Sequence, residues 1–176
     1  MYSKQKALFL DRDGIINVDY GYVYQIQNFE FSQDIFKLLH LFQKQNYILF
    51  IVTNQSGIGR DYYKLEDFNK LTKWMLNEFK KNSINIIKVE FCQHSPESKC
   101  NCRKPKTGMI DKILSEYNID LENSWMIGDK QSDIDLAHNA KIGHTIAIGD
   151  RVIENRDYHF KSISECYTFF ISSNFL

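Results

Sequence analysis

Two carboxylates one residue apart follow the first apolar segment of the chain. Asp11 and Asp13 come directly after the apolar residues 7–10. Side chains at positions i and i+2 of an extended segment point to the same side, so both carboxylates can reach one point beyond a strand. An Asp-rich turn is an equally common use of this pattern, and a calcium loop also begins Asp-x-Asp. The calcium loop is excluded because Ile16 stands where it needs glycine and Tyr22 where it needs glutamate.

Polar residues also follow three later apolar segments, which we predict to be strands. They are Thr53, Asn54, Arg103, Lys104, Asp129, Lys130 and Asp133. Each of them alone fits a turn, a helix cap or an exposed surface. The carboxyl ends of parallel strands share one edge of a sheet, and ligands bind in the crevice beyond that edge. We therefore expect these side chains to converge with Asp11 and Asp13 on one site.

Carboxylates, a hydroxyl group and cations in one crevice suit phosphoryl transfer. Mg²⁺ prefers oxygen ligands and commonly takes one or two carboxylates together with substrate phosphate oxygens. Lysine and threonine side chains suit a phosphate dianion, and backbone N–H groups of the turn 11–14 can form an anion nest. Positioning and charge neutralisation dominate catalysis of this reaction. The residue types therefore predict a Mg²⁺-dependent enzyme that acts on a phosphate.

A second group of residues has the composition of a zinc site. Three thiols and one imidazole fall within eleven positions, as Cys92, His94, Cys100 and Cys102. Four such ligands predict a tetrahedral Zn²⁺ site with no open position, hence a structural one, rather than unliganded thiols. The metal would tie down the polar loop 92–102 and place Arg103 and Lys104. Cys166 lies in an apolar predicted helix and is expected to be core.

An alternating α/β chain is needed to bring these side chains together. The predicted strands are 7–10, 47–52, 86–91, 124–127 and 145–148. The predicted helices are one that begins after an N-cap at Ser32, then 65–81, 109–117, 133–140 and 163–171. Residues 17–31 and 55–60 are predicted loops. The alternation predicts an α/β fold in three layers, a doubly wound, Rossmann-like parallel sheet, with 1–176 as one domain and no separate cap domain.

The composition argues against several kinds of partner. The chain has 22 acidic and 22 basic residues and a formal net charge of zero, which does not favour a nucleic acid. No apolar segment has the length of a membrane span, and residues 1–6 lack the apolar core of a signal peptide. We therefore expect a cytoplasmic monomer without a membrane partner, with thiols that stay reduced.

The residues above also form four ordered motifs of a known enzyme family. The motifs are Asp11-Arg12-Asp13-Gly14, Val52-Thr53-Asn54, Lys104 and Gly128-Asp129-Lys130-Gln131-Ser132-Asp133. In this order they resemble the motifs of the haloacid dehalogenase-like (HAD-like) phosphatases, and they cover most of residues 7–149. The resemblance implies a HAD-like fold and Mg²⁺-dependent hydrolysis of phosphate monoesters.

The same resemblance implies a role for each reactive residue. Asp11 would attack phosphorus and form an aspartyl-phosphate, while Asp13 would act first as general acid and then as base. Thr53 and Lys104 would hold the phosphoryl oxygens. The implied Mg²⁺ ligands are Asp11, the backbone carbonyl of Asp13 and Asp129, with Asp133 behind them.

The Cys/His loop narrows the resemblance to the branch that contains heptose bisphosphate phosphatases and histidinol-phosphate phosphatases. Segments 17–23, 28–31 and 53–58 are similar to the heptose enzymes, which implies hydrolysis of the 7-phosphate of D-glycero-D-manno-heptose 1,7-bisphosphate. The five-residue spacer 95–99 resembles the histidinol-phosphate type, which stays the alternative. The implied contacts to the phosphorylated sugar are Asp19, Tyr20, Gly21, Tyr22, Thr53, Asn54, Gln55, Ser56, Arg103, Lys104 and Lys130.

Two interpretations without turnover remain to be weighed. A phospho-acceptor signalling domain also uses acidic residues, threonine and lysine at strand ends, but its phosphorylated aspartate follows a central strand, whereas Asp11 and Asp13 both follow the first. A zinc-stapled binding module that has lost activity would be expected to have a broken reactive set. That set is complete here, with Asp11, Asp13, Thr53, Lys104 and Asp129.

Overall fold

A six-stranded parallel sheet forms the centre of the structure, a computed structural model that describes residues 4–173. The strands are β1 (Ala7–Leu10), β2 (Ile48–Asn54), β3 (Ile86–Cys92), β4 (Trp125–Gly128), β5 (His144–Ile148) and β6 (Tyr158–Phe160). Their spatial order is β3-β2-β1-β4-β5-β6, and every pairing is parallel. The order reverses between β1 and β4, so a crevice opens beyond their carboxyl ends.

Helices cover both faces of the sheet. They are α1 (Ile35–Lys44), α2 (Ser56–Gly59), α3 (Leu65–Lys81), α4 (Gly108–Leu114), α5 (Gln131–Ala140) and α6 (Ile163–Ser173). Leu8 and Leu10 of β1 pack in one buried cluster with α1, α3 and α6. Ala7 and Phe9 point to the other face, where they pack with α4 and α5. The three-layer prediction is confirmed.

Between β1 and β2 the chain forms a short 3₁₀ helix (Ile26–Asn28) and α1, which leaves no room for a separate cap domain. The prediction of Ser32 as N-cap is wrong. Asp34 precedes the helix with φ of 62°, and the N–H of Ile35 bonds to the oxygen of Ser32 at 3.1 Å. Ser32 therefore opens the turn before α1.

The predicted helix 109–117 ends earlier, at Leu114, and two elements were missing from the sequence predictions. The predicted loop 55–60 contains the single helical turn α2, closed by a 3.1 Å bond from the N–H of Arg60 to the oxygen of Ser56. Strand β6 was not predicted because its three residues are too few for a periodic pattern. Pairing with β5 makes it a strand. None of the helices within residues 4–173 is long and apolar enough to cross a bilayer.

Candidate active site

Asp11 lies at the centre of the crevice, directly after β1. Its backbone N–H bonds to the oxygen of Ile127 in β4 at 3.0 Å, and the residue is only 4% exposed. Its Oδ1 accepts a hydrogen bond from the N–H of Arg12 at 2.7 Å and lies 2.9 Å from Nζ of Lys104. Burial raises the pKa of Asp11, the charge of Lys104 counteracts this, and the carboxylate of Asp133 adds to the rise.

Lys104 supplies a fully buried positive charge between two carboxylates. Its Nζ lies 2.9 Å from Oδ1 of Asp11 and 2.6 Å from Oδ1 of Asp133, and it donates to the oxygen of Val52 at 2.9 Å. Burial by itself lowers the pKa of Lys104, but the two carboxylates outweigh it and the pKa is raised. The N–H of Lys104 also donates to Oδ1 of Asn54 at 3.0 Å, which ties the loop to β2. The lysine is therefore held charged and in place.

Asp11, Asp129 and Asp133 form a buried acidic cluster, in which one carboxylate oxygen of each residue lies within 4.8 Å of those of the other two. Gly14 makes this approach feasible, since a Cβ at its φ of +86° would lie 2.6 Å from Cγ of Asp129. Burial raises the pKa of Asp129, and the charge of Asp11 adds to the rise, whereas Lys130 opposes it. Such a cluster is stabilised by a bound cation.

The two oxygens of Asp129 have different surroundings. Nη1 of Arg151 binds Oδ2 and also donates to the backbone oxygen of Asp129 at 3.1 Å. Oδ1 is buried and has no hydrogen-bond donor within residues 4–173, and Nζ of Lys130 is 3.7 Å away. Asp133 accepts from the N–H of Lys130 at 3.0 Å, which caps α5. The unpaired oxygen and the oxygen-only donor set fit Mg²⁺.

The carboxylate of Asp13 points away from the acidic cluster. Its Oδ1 accepts from Nη2 of Arg12 at 2.8 Å and from Nδ2 of Asn17 at 3.1 Å. Its Oδ2 accepts from Nε2 of Gln55 at 3.0 Å. Burial alone would raise the pKa of Asp13, but the charge of Arg12 and these hydrogen bonds outweigh it and hold the pKa below its usual range. Asp11 and Asp13 therefore have opposite pKa shifts although they are one residue apart.

A cavity of about 260 Å³ opens above these groups. It is lined by Asp11, Asp13, Asp19, Gly21, Tyr22, Asn54, Gln55, Ser56, Tyr63, Arg103, Lys104, Lys130 and Ser132. Tyr20 lines a neighbouring cavity, which shares Gly21 and Tyr22 with the first. Thr53 is buried and its hydroxyl accepts a hydrogen bond of 2.9 Å from Gln55, which lines the first cavity. The other predicted site residues are thus brought together, whereas Tyr20 is 62% exposed and its hydroxyl donates to Oε2 of Glu30.

Arg103 and Lys130 bring cationic groups to this cavity. Nη1 of Arg103 is buried and has no hydrogen-bond partner in the described part of the chain. Nζ of Lys130 lies 3.3 Å from Oδ2 of Asp19, so the ion pair joins the loop after β4 to the loop after β1. Sequence reasoning missed Tyr63 and Arg151, which lie outside all four motifs and reach the site only through the fold.

The Cys/His cluster lies next to the active site, at the end of β3. The ligand atoms of Cys92, His94, Cys100 and Cys102 lie within 4.8 Å of one another. Sγ of Cys92 lies 3.0 Å from Sγ of Cys102 and 3.6 Å from Sγ of Cys100, and Nδ1 of His94 lies 3.2 Å from Sγ of Cys102. A tetrahedron with Zn–S bonds of about 2.3 Å has edges of roughly 3.8 Å. The observed distances are somewhat shorter than these edges, so the four side chains already lie close enough to share one ion. Three thiols and one imidazole are a donor set that fits Zn²⁺.

Comparison with known proteins identifies the family. A HAD-hydrolase-like family model matches residues 101–143. The D-glycero-alpha-D-manno-heptose-1,7-bisphosphate 7-phosphatase of Campylobacter jejuni is 49% identical over 168 residues, which cover 95% of this chain and 96% of the relative. The D-glycero-beta-D-manno-heptose-1,7-bisphosphate 7-phosphatase of Helicobacter pylori is 49% identical over 144 residues, which cover 81% and 83%.

A solved structure supports the same fold. The crystal structure of D,D-heptose 1,7-bisphosphate phosphatase from B. bronchiseptica, complexed with magnesium and phosphate, matches with a TM-score of 0.84 and 21% identity. The match covers 95% of this chain and 98% of that one. Together with the identity to the curated relatives, it confirms the predicted fold and enzyme class. The chain belongs to the D-glycero-D-manno-heptose-1,7-bisphosphate 7-phosphatase family, a group of HAD-like phosphoric monoester hydrolases.

Proposed function

We propose that this chain is a Mg²⁺-dependent phosphatase that removes the 7-phosphate of D-glycero-D-manno-heptose 1,7-bisphosphate. The observation that carries the proposal is 49% identity to a phosphatase of this name along 95% of the chain. The reactive set supports it, because all of its members lie at the same crevice. They are Asp11, Asp13, Thr53, Lys104 and Asp129.

In the first step, an oxygen of Asp11 attacks phosphorus and the bond between phosphorus and the sugar oxygen breaks. Asp13 donates a proton to the leaving oxygen, so this oxygen departs as a hydroxyl group of the sugar 1-phosphate and not as an alkoxide. Bound phosphate brings negative charge next to Asp13 and favours its protonated form. Lys104 and the hydroxyl of Thr53 hold the phosphoryl oxygens as charge redistributes.

In the second step, Asp13 takes a proton from water, and the water oxygen attacks the aspartyl-phosphate. The bond between phosphorus and Asp11 breaks, which restores the carboxylate and releases inorganic phosphate. Asp133 contributes by holding Lys104 at 2.6 Å, so the lysine charge keeps its position through both steps.

We propose two metals with different tasks. Asp11, the backbone carbonyl of Asp13 and Asp129 would hold Mg²⁺, with Asp133 behind them. When bound, Mg²⁺ supplies positive charge that neutralises Asp11 and the phosphate oxygens. Zn²⁺ would be held by Cys92, His94, Cys100 and Cys102, a closed site with a structural role.

The sugar is proposed to lie in the cavity described above, as a small extended molecule. The proposed contacts are Asp19, Tyr20, Gly21, Tyr22, Thr53, Asn54, Gln55, Ser56, Arg103, Lys104 and Lys130. Nη1 of Arg103 has a free hydrogen-bonding position among the described residues, as a residue that binds an anionic oxygen requires. A monomeric, cytoplasmic enzyme stays the prediction from the sequence.

The test is phosphate release with Mg²⁺ from both anomers of the heptose 1,7-bisphosphate and from histidinol phosphate. Both anomers are needed because the Campylobacter jejuni and Helicobacter pylori relatives differ in the anomer that they are named for. We expect kcat/KM for one heptose anomer to exceed that for histidinol phosphate by about 100-fold or more, since a pocket with paired polar groups rejects a ligand that leaves them unpaired. A preference for histidinol phosphate would overturn the heptose proposal.

A further inference from the structure

Tyr63 is a buried polar residue that none of the sequence motifs contains. It lies two residues before α3, is 6% exposed, and stacks on Tyr24 with ring centroids 5.0 Å apart. Its hydroxyl donates a hydrogen bond of 2.6 Å to Oε1 of Gln55. Burial raises the pKa of Tyr63 to about 12, so the hydroxyl keeps its proton at neutral pH. Tyr63 is therefore a permanent donor to Gln55.

This hydrogen bond and the carboxylate of Asp13 together fix which way the side-chain amide of Gln55 faces. Because the amide oxygen is turned to Tyr63, the NH₂ group is turned to the active site. There it donates to Oδ2 of Asp13 at 3.0 Å and to Oγ1 of Thr53 at 2.9 Å. In the flipped orientation the amide oxygen would face the Asp13 carboxylate, and two acceptors would repel each other. Gln55 is 3% exposed, so water cannot replace the lost contact cheaply.

The contact matters because the two oxygens of Asp13 are not equivalent. Oδ1 accepts from Nε and Nη2 of Arg12 and from Nδ2 of Asn17, so its acceptor positions are filled. Oδ2 accepts only from Gln55 among the described residues. Oδ2 is thus the oxygen with a free position for the proton that passes to the leaving oxygen. The hydrogen bond from Gln55 sets the orientation of this oxygen.

We propose that Tyr63 is a positioning residue for this proton transfer, acting through Gln55 on Asp13. The inference rests on the proposed function, in which Asp13 protonates the leaving oxygen. Tyr63 does not touch the reacting atoms in this scheme. It keeps the amide of Gln55 in the orientation that links the Asp13 carboxylate to the Thr53 hydroxyl.

The first test compares two leaving groups in the variant Tyr63→Phe, which keeps the ring and removes the donor. An alkyl phosphate such as the heptose bisphosphate needs a proton on its leaving oxygen, whereas the nitrophenolate of p-nitrophenyl phosphate leaves without one. We expect kcat/KM to fall about 10-fold for the heptose ester and less than about 2-fold for the aryl ester. The 10-fold loss is a part of the rate enhancement that a general acid usually contributes. The parameter kcat/KM reports only the steps up to formation of the aspartyl-phosphate, so the later hydrolysis of this intermediate does not affect the comparison. Equal losses on both esters would overturn the proposal.

The neighbouring Tyr62 provides the matched control. It is 55% exposed and offers the same change, Tyr62→Phe, one position away. Neither ester should be affected by more than about 2-fold, as is usual for surface substitutions. Retained turnover of the aryl ester also shows that Tyr63→Phe is folded. A selective loss in Tyr62→Phe equal to that in Tyr63→Phe would overturn the role of Tyr63.

A double-mutant cycle tests the route through Gln55. In the background Gln55→Ala, the substitution Tyr63→Phe should change kcat/KM for the heptose ester by less than about 2-fold, because the residue on which Tyr63 acts is gone. If the two losses multiply instead, Tyr63 acts independently of Gln55 and the proposal is wrong.

An NMR measurement needs no substrate and separates this inference from the proposed function. The side-chain amide resonances of Gln55 should shift or broaden in Tyr63→Phe and stay in place in Tyr62→Phe. Unchanged resonances in Tyr63→Phe would overturn the inference whatever the substrate. Should the native protein release no phosphate from the heptose bisphosphate, the heptose assignment fails. The leaving-group ratio is then measured with glycerol 3-phosphate as the alkyl ester.

Discussion

The acidic cluster and the Cys/His cluster are built by the chain in different ways. Both gather their ligand atoms within 4.8 Å. Asp11 and Asp129 lie 118 positions apart and meet only because β1 and β4 are neighbours in the sheet. The Cys/His ligands all come from residues 92–102, a single loop. The acidic cluster therefore depends on the fold of the sheet, whereas the Cys/His cluster is local in the sequence.

The two clusters also differ in what they leave open. The acidic cluster offers three carboxylates beside Lys104 and adjoins the substrate cavity, so coordination positions remain for water and phosphate. The Cys/His cluster offers four donors of the kind that complete a tetrahedron. We therefore propose that the acidic cluster serves catalysis and the Cys/His cluster serves stability, and variants of each cluster test this contrast.

The largest expected effect is on turnover in Asp11→Asn. We expect kcat to fall on the order of 10⁴-fold or more, because the attacking oxygen is lost. Folding should be retained, because burial raises the pKa of Asp11 and thus disfavours its charged form in the metal-free protein. The asparagine removes that charge and keeps the size of the side chain. Phosphate release and thermal unfolding are measured, with the exposed Asp61→Asn as control. Activity above about one-hundredth of the native value would contradict the nucleophile assignment.

The converse effect is expected in Cys100→Ser. Loss of a structural metal is one of the few changes that cost about 4 kcal/mol or more of unfolding free energy. In a chain of this size that corresponds to a Tm lower by roughly 10 °C. Zinc content and Tm are measured together, and Cys166→Ala is the control that removes a thiol outside the cluster. An unchanged zinc content in Cys100→Ser would rule out this ligand set.

Arg103→Ala probes the segment that joins the two clusters. A charge-assisted hydrogen bond contributes about 1.5–3 kcal/mol, so kcat/KM for the heptose bisphosphate should fall about 10- to 100-fold. A small aryl phosphate lacks the hydroxyl groups and the second phosphate of the sugar, so its kcat/KM should fall less. Lys99→Ala removes an exposed charge from the same loop and serves as control. Equal losses on the two substrates would refute a role in substrate recognition.

The smallest expected effect concerns Arg151, which binds Oδ2 of Asp129 and leaves Oδ1 free for a cation. Arg151→Gln should weaken binding of Mg²⁺ or Mn²⁺ about 10-fold, as is typical when the partner of a ligating carboxylate is removed. Calorimetric titration of the metal-free protein measures this without turnover. Arg156→Gln changes a guanidinium that bonds to Ile153 instead. An equal loss in both variants would show that the contact between Arg151 and Asp129 is not the cause.

The fold was predictable where the pattern is local and strong. Strands β1, β2 and β4 and helix α3 were predictable because burial imposes a regular spacing of apolar residues on them. The ends were less predictable: Ser32 is a good cap residue by type, but Asp34 and the preceding turn set where α1 begins. β6 needs the exposed edge of β5 to become a strand, and no pattern in three residues carries that information.

The candidate site divides in the same way. The motifs place Asp11, Asp13, Thr53, Lys104 and Asp129 after strands, and parallel topology makes convergence foreseeable. Tyr63 and Arg151 reach the site from the segments before α3 and after β5, and their own neighbours in sequence carry no sign of it. Their partners are defined by packing alone.

The amino-acid sequence by itself determined which reactive groups this protein has: carboxylates and a lysine placed after strands, and three thiols and an imidazole in one loop. Such features are local, because residue type and short spacing carry them. Only the tertiary structure decided the direction of each hydrogen bond around them, including that Oδ2 of Asp13 accepts from Gln55 and that Oδ2 of Asp129 binds Arg151. These contacts join residues far apart in the chain, so they exist only after the sheet has assembled.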